Sequence, residues 1–319
     1  MQFKKLTFSI LISLLPFLLS CTSAEPKNYS HTGVLTKQSL VHDGYEREYI
    51  IYKQASIQNL NKLPLLIALH GGGGTSKQLI SHTKRRFNIL ADAESFYVVY
   101  PQGLKKGWND GRNDLKQFAT VNNIDDVGYI QKLIHYLTSK YNIDVKRIFV
   151  TGISNGGFMS FRLACELEDE INAIAPLTAT ISEDVFKSCN GNSNVGLMLM
   201  NGTEDPIVPY DGGYVELFGK KRGKIASTRM TIDRWLEMLR CKNEPIISEL
   251  PDNEKDGTTV TTFEYRQCNG NGTISLYRIN GGGHTWPGAK SHNLKRIVGK
   301  TSQELIACDT IWEFFKHQP

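Results

Sequence analysis

A serine, an aspartate and a histidine follow three separate apolar runs in this chain, each within a turn rich in small residues. Ser154 lies in the sequence GISNG, Asp205 in GTEDP and His284 in NGGGH. A serine hydroxyl is nearly unreactive at neutral pH, and it becomes a nucleophile when a histidine removes its proton and a carboxylate orients that histidine. The three residues therefore predict acyl transfer through a covalent acyl-enzyme.

The order of the three residues along the chain limits the partners of the serine. Serine, then acid, then histidine is the order found in α/β-hydrolases. His284 is the one histidine after Ser154 that follows a predicted strand in a glycine-rich loop. Glu204 and Asp211 are rivals of Asp205 for the acid, and an aspartate before a proline can also simply form a turn. We take Asp205 as the acid.

The turn around Ser154 is predicted to be a nucleophile elbow. A strand that ends at residue 151 and a helix that starts near Asn155 leave room for only a very tight turn, which glycines at 152 and 156 permit. A serine that merely caps a helix is the alternative when this pattern stands alone. The flanking strand and helix favour the elbow.

Backbone amides must stabilise the oxyanion that forms when a serine attacks a carbonyl carbon. Asn155, the residue after the predicted nucleophile, supplies one amide N–H. A second comes from residues 70–74 (HGGGG), which follow a predicted strand, and we choose Gly72 as the donor. A phosphate-binding loop is the alternative interpretation, but the Gly-Lys-Ser/Thr that it requires does not follow these glycines.

The elements that would position these residues alternate between strand and helix patterns. Short, nearly all-apolar runs are typical of strands buried on both faces of a parallel sheet, and apolar residues spaced by three and four predict amphipathic helices. We therefore predict an α/β-hydrolase fold with a doubly wound, mostly parallel sheet, helices on both faces and a single domain. The predicted strands are residues 63–70, 96–100, 147–151, 195–201 and 274–279, with an antiparallel strand at 46–52; the amphipathic segments are 127–141, 227–239 and 303–316, and the glycine-rich segment 206–226 is expected to border the site.

The N-terminus has the pattern of an export signal. Lys4 and Lys5 precede an apolar run at residues 6–19, which is too short for a comfortable membrane span. The run ends in LLSC, which resembles a bacterial lipobox and predicts acylation of Cys21; ordinary cleavage after Ala24 is the alternative. We expect an exported protein that is extracellular, periplasmic or lipid-anchored to the bacterial envelope. The division is a signal at 1–24, a tether at 25–32 and a catalytic domain at 33–319.

Composition excludes several classes of protein. The 319-residue chain is 40% hydrophobic and 22% charged, which is ordinary for a globular domain. The net charge is +5, and because the basic residues are scattered along the chain, nucleic acid is not an expected partner. No CxxC pair or histidine cluster indicates a metal, and serine-based ester chemistry needs no cofactor. The expected partner is an ester substrate.

Five cysteines follow the predicted signal, and an exported protein is free to pair them. Pairing of neighbours would join Cys165 to Cys189 and Cys241 to Cys268, each closing a loop that contributes roughly 3 kcal/mol in the chain-entropy model. The sequence does not fix this connectivity. Cys308 lies on an amphipathic segment and is expected to be a buried thiol.

Two tryptophans and three charged residues stand beside these motifs. Trp108 and Trp286 are expected to wall a substrate pocket, because an aromatic face stacks on an aromatic acyl group or a sugar; core packing is the alternative. Asp110, Arg112 and Asp126 would either bind substrate or form an ion-pair network that holds their loop.

Seven spaced motifs carry a resemblance to a known family: residues 70–74 (HGGGG), 100–103 (YPQG), 108–112 (WNDGR), 125–128 (DDVG), 152–157 (GISNGG), 202–209 (GTEDPIVP) and 282–288 (GGHTWPG). From about residue 33 onward the chain resembles the polyhydroxybutyrate depolymerase-like family of exported α/β-hydrolases. That family overlaps the feruloyl and acetyl xylan esterases of carbohydrate esterase family one. The resemblance implies Ser154 as nucleophile with Asp205 and His284 as its partners. It also implies a disulfide on each neighbouring cysteine pair, with no counterpart for Cys308.

Three functions follow from the resemblance and the motifs. The leading hypothesis is a serine esterase that cleaves feruloyl, acetyl or similar short acyl esters, including esters on plant polysaccharide. A hydrolase of poly(3-hydroxybutyrate) or hydroxyalkanoate oligomers is second, because depolymerases of solid polyester usually carry an added surface-binding domain and the chain stops just after its last predicted helix. The third is a catalytically silent binding protein on the same fold.

Overall fold

The structure is a computed structural model that describes residues 32–54, 61–189, 194–241, 244–268, 272–290 and 295–318. Its strands are β1 (Val34–His42), β2 (Tyr45–Lys53), β3 (Leu63–Leu69), β4 (Tyr97–Pro101), β5 (Ile143–Ile153), β6 (Ala173–Leu177), β7 (Gly196–Gly202), β8 (Gly213–Leu217), β9 (Lys220–Ile225), β10 (Ile246–Glu249), β11 (Thr259–Tyr265) and β12 (Ile274–Asn280). Its helices are α1 (Ser76–His82), α2 (Arg86–Glu94), α3 (Phe118–Val121), α4 (Asp126–Lys140), α5 (Asn155–Glu166), α6 (Glu183–Ser188), α7 (Thr228–Met238), α8 (Lys295–Val298) and α9 (Ala307–Lys316), with a 3₁₀ turn at Leu104–Lys106.

One ten-stranded sheet organises the molecule, in the order β1-β2-β4-β3-β5-β6-β7-β12-β11-β10. The six strands from β4 to β12 in this order are parallel to one another. Two antiparallel strands close each end, β1 and β2 on one side and β10 and β11 on the other. This is the predicted mostly parallel α/β sheet, and the predicted antiparallel strand at residues 46–52 is part of β2.

Helices cover both faces of the sheet, because the central strands are apolar on both sides. Every residue of β3 and of β7 is buried. One apolar cluster packs α4, α5 and α7 against the sheet, with Phe161 edge-on to Trp235 at 5.3 Å. The other packs α1, α2 and α9 against the opposite face, with Phe149 stacked on Phe315 at 4.8 Å. The parallel core is therefore sealed from water, as a doubly wound sheet requires.

Several elements differ from the expectation. Helix α9 begins at Ala307, four residues later than the amphipathic pattern, and the segment 206–226 contains the hairpin β8–β9. Strand β6 was not predicted, since its sequence AIAPL is short and contains Pro176, which argues against a central strand. It is nonetheless paired on both sides, with β5 and with β7. Pairing partners that lie far away in sequence make this segment a strand.

Two disulfides join elements around the sheet. Cys165 at the end of α5 is bonded to Cys189, and Cys241 after α7 is bonded to Cys268, which are the pairings that the resemblance implies. Such bonds are typical of proteins outside the reducing cytoplasm. Cys308 is a buried free thiol.

The export signal, Cys21 and nearly all of the tether lie outside the described residues. Among the residues that the structure does describe, no helix has the length and apolar character needed to cross a bilayer.

Candidate active site

Ser154 occupies a strained turn between β5 and α5. Its backbone has φ 55° and ψ −119°, a conformation that a non-glycine residue keeps only where the surrounding structure imposes it. A Cβ on Gly152 would lie 2.5 Å from the Gly156 carbonyl, and a Cβ on Gly156 would lie 2.5 Å from the carbonyl oxygen of Leu69. Both glycines are needed for this close approach, which is the geometry of a nucleophile elbow.

The strands that carry the candidate residues end at the same edge of the sheet. The amide of Ser154 donates to the Leu177 carbonyl at the end of β6, at 3.0 Å. The amide of Thr203, just after β7, donates to the Ile279 carbonyl in β12, also at 3.0 Å. Because β5, β6, β7 and β12 are neighbours and parallel, the loops that hold Ser154, Asp205 and His284 open on one side of the molecule.

Asp205 and His284 form a hydrogen-bonded pair at this edge. Asp205 Oδ2 lies 2.8 Å from His284 Nδ1, and the two side chains are 2% and 11% exposed. Asp205 Oδ1 accepts the backbone N–H groups of Ile207 and Val208, each at 2.8 Å. A carboxylate at Nδ1 requires a proton on that nitrogen, so Nε2 is left as the proton acceptor.

The two rival carboxylates are not placed to orient the imidazole. Glu204 is 65% exposed and its carboxylate lies 3.6 Å from Lys300 Nζ, while Asp211 is exposed. Ser154 Oγ makes no hydrogen bond to any of the described residues, so the structure joins two of the three candidate side chains directly. Contacts between a nucleophile and its base often tighten only when substrate is bound.

The loop at residues 70–74 lies against the elbow. The amides of Gly73 and Gly74 donate to nearby backbone carbonyls at 2.8 and 3.0 Å. The amide of Gly72 has no partner within the part of the chain that is described, and a Cβ on Gly72 would lie 3.5 Å from Asn155 Cβ. The amide of Asn155 likewise donates to none of the described residues, and the first N–H groups of a helix have no partner within the helix itself. Gly72 and Asn155 are thus the candidate oxyanion donors.

His70 holds this loop, a role that its sequence motif alone does not predict. Its Nε2 accepts the backbone N–H of Gly103 at 3.0 Å, and its Nδ1 lies 2.9 Å from the Gly71 carbonyl. Burial lowers the pKa of His70 to about 4, and the hydrogen bond to Gly71 acts in the opposite direction without cancelling that effect. The imidazole is therefore neutral at neutral pH, with Nδ1 as donor. Its place directly before a run of glycines was the available sequence signal.

The Asn155 side chain clamps the loop that follows β4. Its Oδ1 accepts the Trp108 N–H at 2.8 Å, and its Nδ2 donates to the Trp108 carbonyl at 3.0 Å and to Asp110 Oδ2 at 2.5 Å. Asp110 pairs with Arg112 at 2.8 Å, and both are buried. The Arg112 guanidinium also lies 4.1 Å above the Phe158 ring of α5. A buried ion pair thus braces the residue after the candidate nucleophile.

A second buried ion pair supports the same loop. Asp126 pairs with Arg47 at 2.5 Å, and their side chains are 0% and 1% exposed. Asp126 Oδ2 accepts the backbone N–H of Asn109 at 2.7 Å. Burial raises the pKa of Asp126, although Arg47 favours the charged form. For Asp110, Arg112 and Asp126 the structure therefore favours the ion-pair network over direct contact with substrate.

The two tryptophans are core residues in this structure. Trp108 is 0% exposed, and its Nε1 donates to the His70 carbonyl at 2.9 Å. Trp286 is 1% exposed and packs edge-on against Phe87, with ring centroids 6.0 Å apart. A pocket wall must present a face to the ligand. Burial of both rings favours core packing, the alternative, over the expected role of Trp108 and Trp286 as walls of a substrate pocket.

Comparison with known proteins agrees with this geometry. The chain belongs to the Phospholipase/Carboxylesterase family, whose model matches residues 56–217. It is 30% identical to a protein named "Probable feruloyl esterase C" from Aspergillus niger over 97% of this chain and 99% of that one. It is 29% identical to feruloyl esterase B from Piromyces equi over 69% of this chain, which spans only 39% of that protein. The solved acetyl xylan esterase from Aspergillus awamori aligns with a TM-score of 0.59 at 14% identity, covering 88% of this chain and 99% of that one, a likeness of fold alone.

The fold and the site define an α/β-hydrolase. Its feruloyl esterase-like relatives and its family make the protein a carboxylic ester hydrolase.

Proposed function

We propose that the protein is an exported serine carboxylesterase that hydrolyses feruloyl, acetyl or similar short acyl esters carried on plant polysaccharide. The observation that carries the proposal is the 2.8 Å pairing of Asp205 with His284 at the sheet edge where Ser154 stands in a strained elbow. The names of the fungal relatives supply the substrate class.

In the first half-reaction His284 Nε2 takes the proton of Ser154 while Oγ bonds to the ester carbonyl carbon. The amides of Asn155 and Gly72 stabilise the oxyanion. When this intermediate collapses, the bond to the alcohol breaks and the alcohol leaves with the proton from His284. Asp205 holds the imidazole in the tautomer that accepts the proton and stabilises its positive charge.

In the second half-reaction water replaces the alcohol. His284 takes a proton from water while the water oxygen attacks the acyl carbonyl carbon on Ser154. The second oxyanion meets the same two amides. Its collapse releases the carboxylic acid and returns the proton to Ser154 Oγ. The balance is one water consumed for each ester cleaved.

Replacement of the serine and of the histidine tests the site. Ser154→Ala and His284→Ala should each reduce turnover by several orders of magnitude, because members of a triad act as a unit. Circular dichroism should show that both variants remain folded. An organophosphonate probe should label the wild type and spare Ser154→Ala. Equal labelling of the two proteins would mean that another residue is the nucleophile.

A panel of esters tests the substrate class. Feruloyl and acetyl esters of sugars should be cleaved with a higher kcat/KM than 3-hydroxybutyrate oligomers of similar size. A strong preference for the oligomers would replace the proposal with a hydroxyalkanoate oligomer hydrolase.

Export and anchoring are part of the proposal. We infer a lipoprotein signal within residues 1–24 that is cleaved before Cys21, so that the acylated cysteine becomes the mature N-terminus. A tether at 25–32 and the catalytic domain at 33–319 follow, and the protein is held at the bacterial envelope. The two disulfides support export. Metabolic labelling with an alkyne fatty acid should mark the wild type and not Cys21→Ala. Labelling of both proteins, or of neither, would contradict the anchor.

A further inference from the structure

A groove beside α1 is lined by basic side chains above an apolar floor. The groove has a volume of about 570 Å³ and lies between α1 and the strands β1 and β2. Ile50 and Ile80 form part of its floor. We call it the basic groove, and its cationic lining residues are Lys37, Lys77, Lys84 and Arg85.

The positive charge of the basic groove is only partly neutralised. Lys37 pairs with Glu48. Lys77 and Lys84 form no ion pair within the described ranges, and Lys84 Nζ donates to the Gly288 carbonyl at 3.2 Å. Residues 70–91 contain no Asp or Glu at all. A ligand of matching charge would be acidic.

The basic groove lies next to the candidate active site. A second cavity of about 440 Å³ is lined by Gly71, Gly72 and Ile153, which surround the elbow, and by side chains of α1. Ser81 lines both cavities, so α1 is the element between them. A helix with its side chains is about 10 Å wide. A small ester cannot occupy both cavities, whereas a polymer can.

Positive charge also stands on the other side of the oxyanion loop. The Lys106 carbonyl accepts the Gly73 N–H at 2.8 Å, which fixes the 3₁₀ turn against that loop. Lys105 and Lys106 are exposed, and neither has an acidic partner in the part of the chain described here. An acidic chain lying across the active site would meet cations on both sides.

We propose that the basic groove binds carboxylate groups of an acidic polysaccharide, one that carries uronic acid residues, while an ester on the same polymer lies at Ser154. This inference rests on the proposed function and deepens it. The cations raise the local concentration of such a polymer and give the interaction a salt dependence. The groove has an apolar floor and lies across α1 from the cavity beside the elbow, so an extended chain can reach both, whereas an anionic bilayer presents a flat surface.

Inhibition by an unesterified acidic polymer tests the inference without knowledge of the acyl group. Hydrolysis of 4-nitrophenyl acetate would be measured with added polygalacturonate or with a neutral arabinoxylan, at low salt and at 0.5 M NaCl, a salt level at which the Debye length is only about 4 Å. Polygalacturonate should inhibit the wild type, arabinoxylan should inhibit much less, and the salt should remove the difference. The double variant Lys77→Glu/Lys84→Glu should bind polygalacturonate about tenfold more weakly, with hydrolysis of the small ester unchanged.

The matched control reverses two exposed charges near the amino-terminal ends of the central strands β3 and β5, Lys62→Glu and Lys146→Glu. This control should behave as the wild type, and equal weakening in both double variants would overturn the inference. Equal inhibition by the acidic and neutral polymers would also overturn it. The inference would also be overturned if the protein bound phosphatidylglycerol vesicles more strongly than polygalacturonate and lost this vesicle binding in Lys77→Glu/Lys84→Glu.

Direct binding separates this inference from the proposed function. Polygalacturonate binding to Ser154→Ala, followed by calorimetry, should match the wild type because the groove does not use the hydroxyl. If Ser154→Ala binds polygalacturonate and still hydrolyses esters, the catalytic assignment of Ser154 is wrong, whereas the inference about the basic groove stands. If Ser154→Ala loses turnover and neither it nor the wild type binds polygalacturonate, only the inference about the basic groove is wrong.

Discussion

The side-chain amide of Asn155 donates a hydrogen bond to Asp110 across 2.5 Å, and both residues are buried. The backbone N–H of the same asparagine is a candidate oxyanion donor. The contact therefore links the proposed oxyanion site to the buried pair of Asp110 and Arg112. Asp110 would act as a positioning residue, through Asn155 and without contact with substrate.

Replacement of Asp110 by asparagine should separate turnover from substrate binding. We expect kcat to fall by about one to two orders of magnitude, less than the loss of a whole oxyanion donor, with KM nearly unchanged. The free energy of unfolding should fall by about 3 kcal/mol, because Arg112 loses its buried partner. Steady-state kinetics and urea unfolding measure the two effects.

The control for Asp110→Asn is Asp144→Asn, which breaks a more exposed pair with Arg147. It should change neither kcat nor stability by more than a small amount. An Asp110→Asn variant with wild-type kcat would show that the contact with Asn155 does not position the donor.

The buried His70 should make stability depend on pH. Its pKa in the folded protein is about 4, against an ordinary value of 6.5. As the pH falls below 6.5 the unfolded chain takes up a proton that the folded protein does not bind until about pH 4. The stabilisation is therefore complete above pH 6.5 and is lost as the pH falls, about 2 kcal/mol between pH 7 and pH 4.5.

Urea unfolding at pH 7 and pH 4.5 would measure this loss. In His70→Gln, which does not titrate, the difference between the two pH values should be smaller by about that amount. His135→Gln removes a histidine with a 64% exposed side chain and serves as the control. An unchanged pH dependence in His70→Gln would contradict the prediction.

The strained backbone of Ser154 predicts that catalysis and stability oppose each other at this position. Glycine adopts positive φ without a steric penalty, so Ser154→Gly should be inactive yet more stable than Ser154→Ala, by about 1 kcal/mol. Thermal unfolding of the two inactive variants compares them directly. A glycine variant that is less stable would mean that the turn is not strained.

The disulfide between Cys165 and Cys189 closes a loop with a sequence separation of 24 and fastens α5, the helix that begins at Asn155. The double variant Cys165→Ala/Cys189→Ala should lose roughly 3 kcal/mol of unfolding free energy. Urea unfolding of this variant and of the wild type provides the value. A reducing agent should lower the unfolding free energy of the wild type by more than that of the variant, because the variant lacks this disulfide. Equal stability of the two proteins would contradict the prediction.

Local patterns in the sequence determined the fold class and three candidate residues. Apolar runs and helical spacings reflect which side chains face the core, so strands such as β3 and helices such as α4 could be predicted from neighbours along the chain. Ser154, Asp205 and His284 were found for the same reason, since each follows a strand of a parallel sheet whose carboxyl ends share one edge. The sequence pattern does not predict strand β6, because its pairing partners and not its own residues make it a strand.

Tertiary structure alone decided the contacts between segments that are distant along the chain. Asn155 and Asp110 are 45 residues apart, and no local pattern indicates that they meet. The burial of Trp108 and Trp286 depends on what packs over them, which composition does not reveal. The cations of the basic groove look scattered in the sequence, and only the folding of β1 beside α1 gathers them into one surface. Periodicity reports the direction in which a side chain points, whereas the partner that it meets is set by the packing of the whole chain.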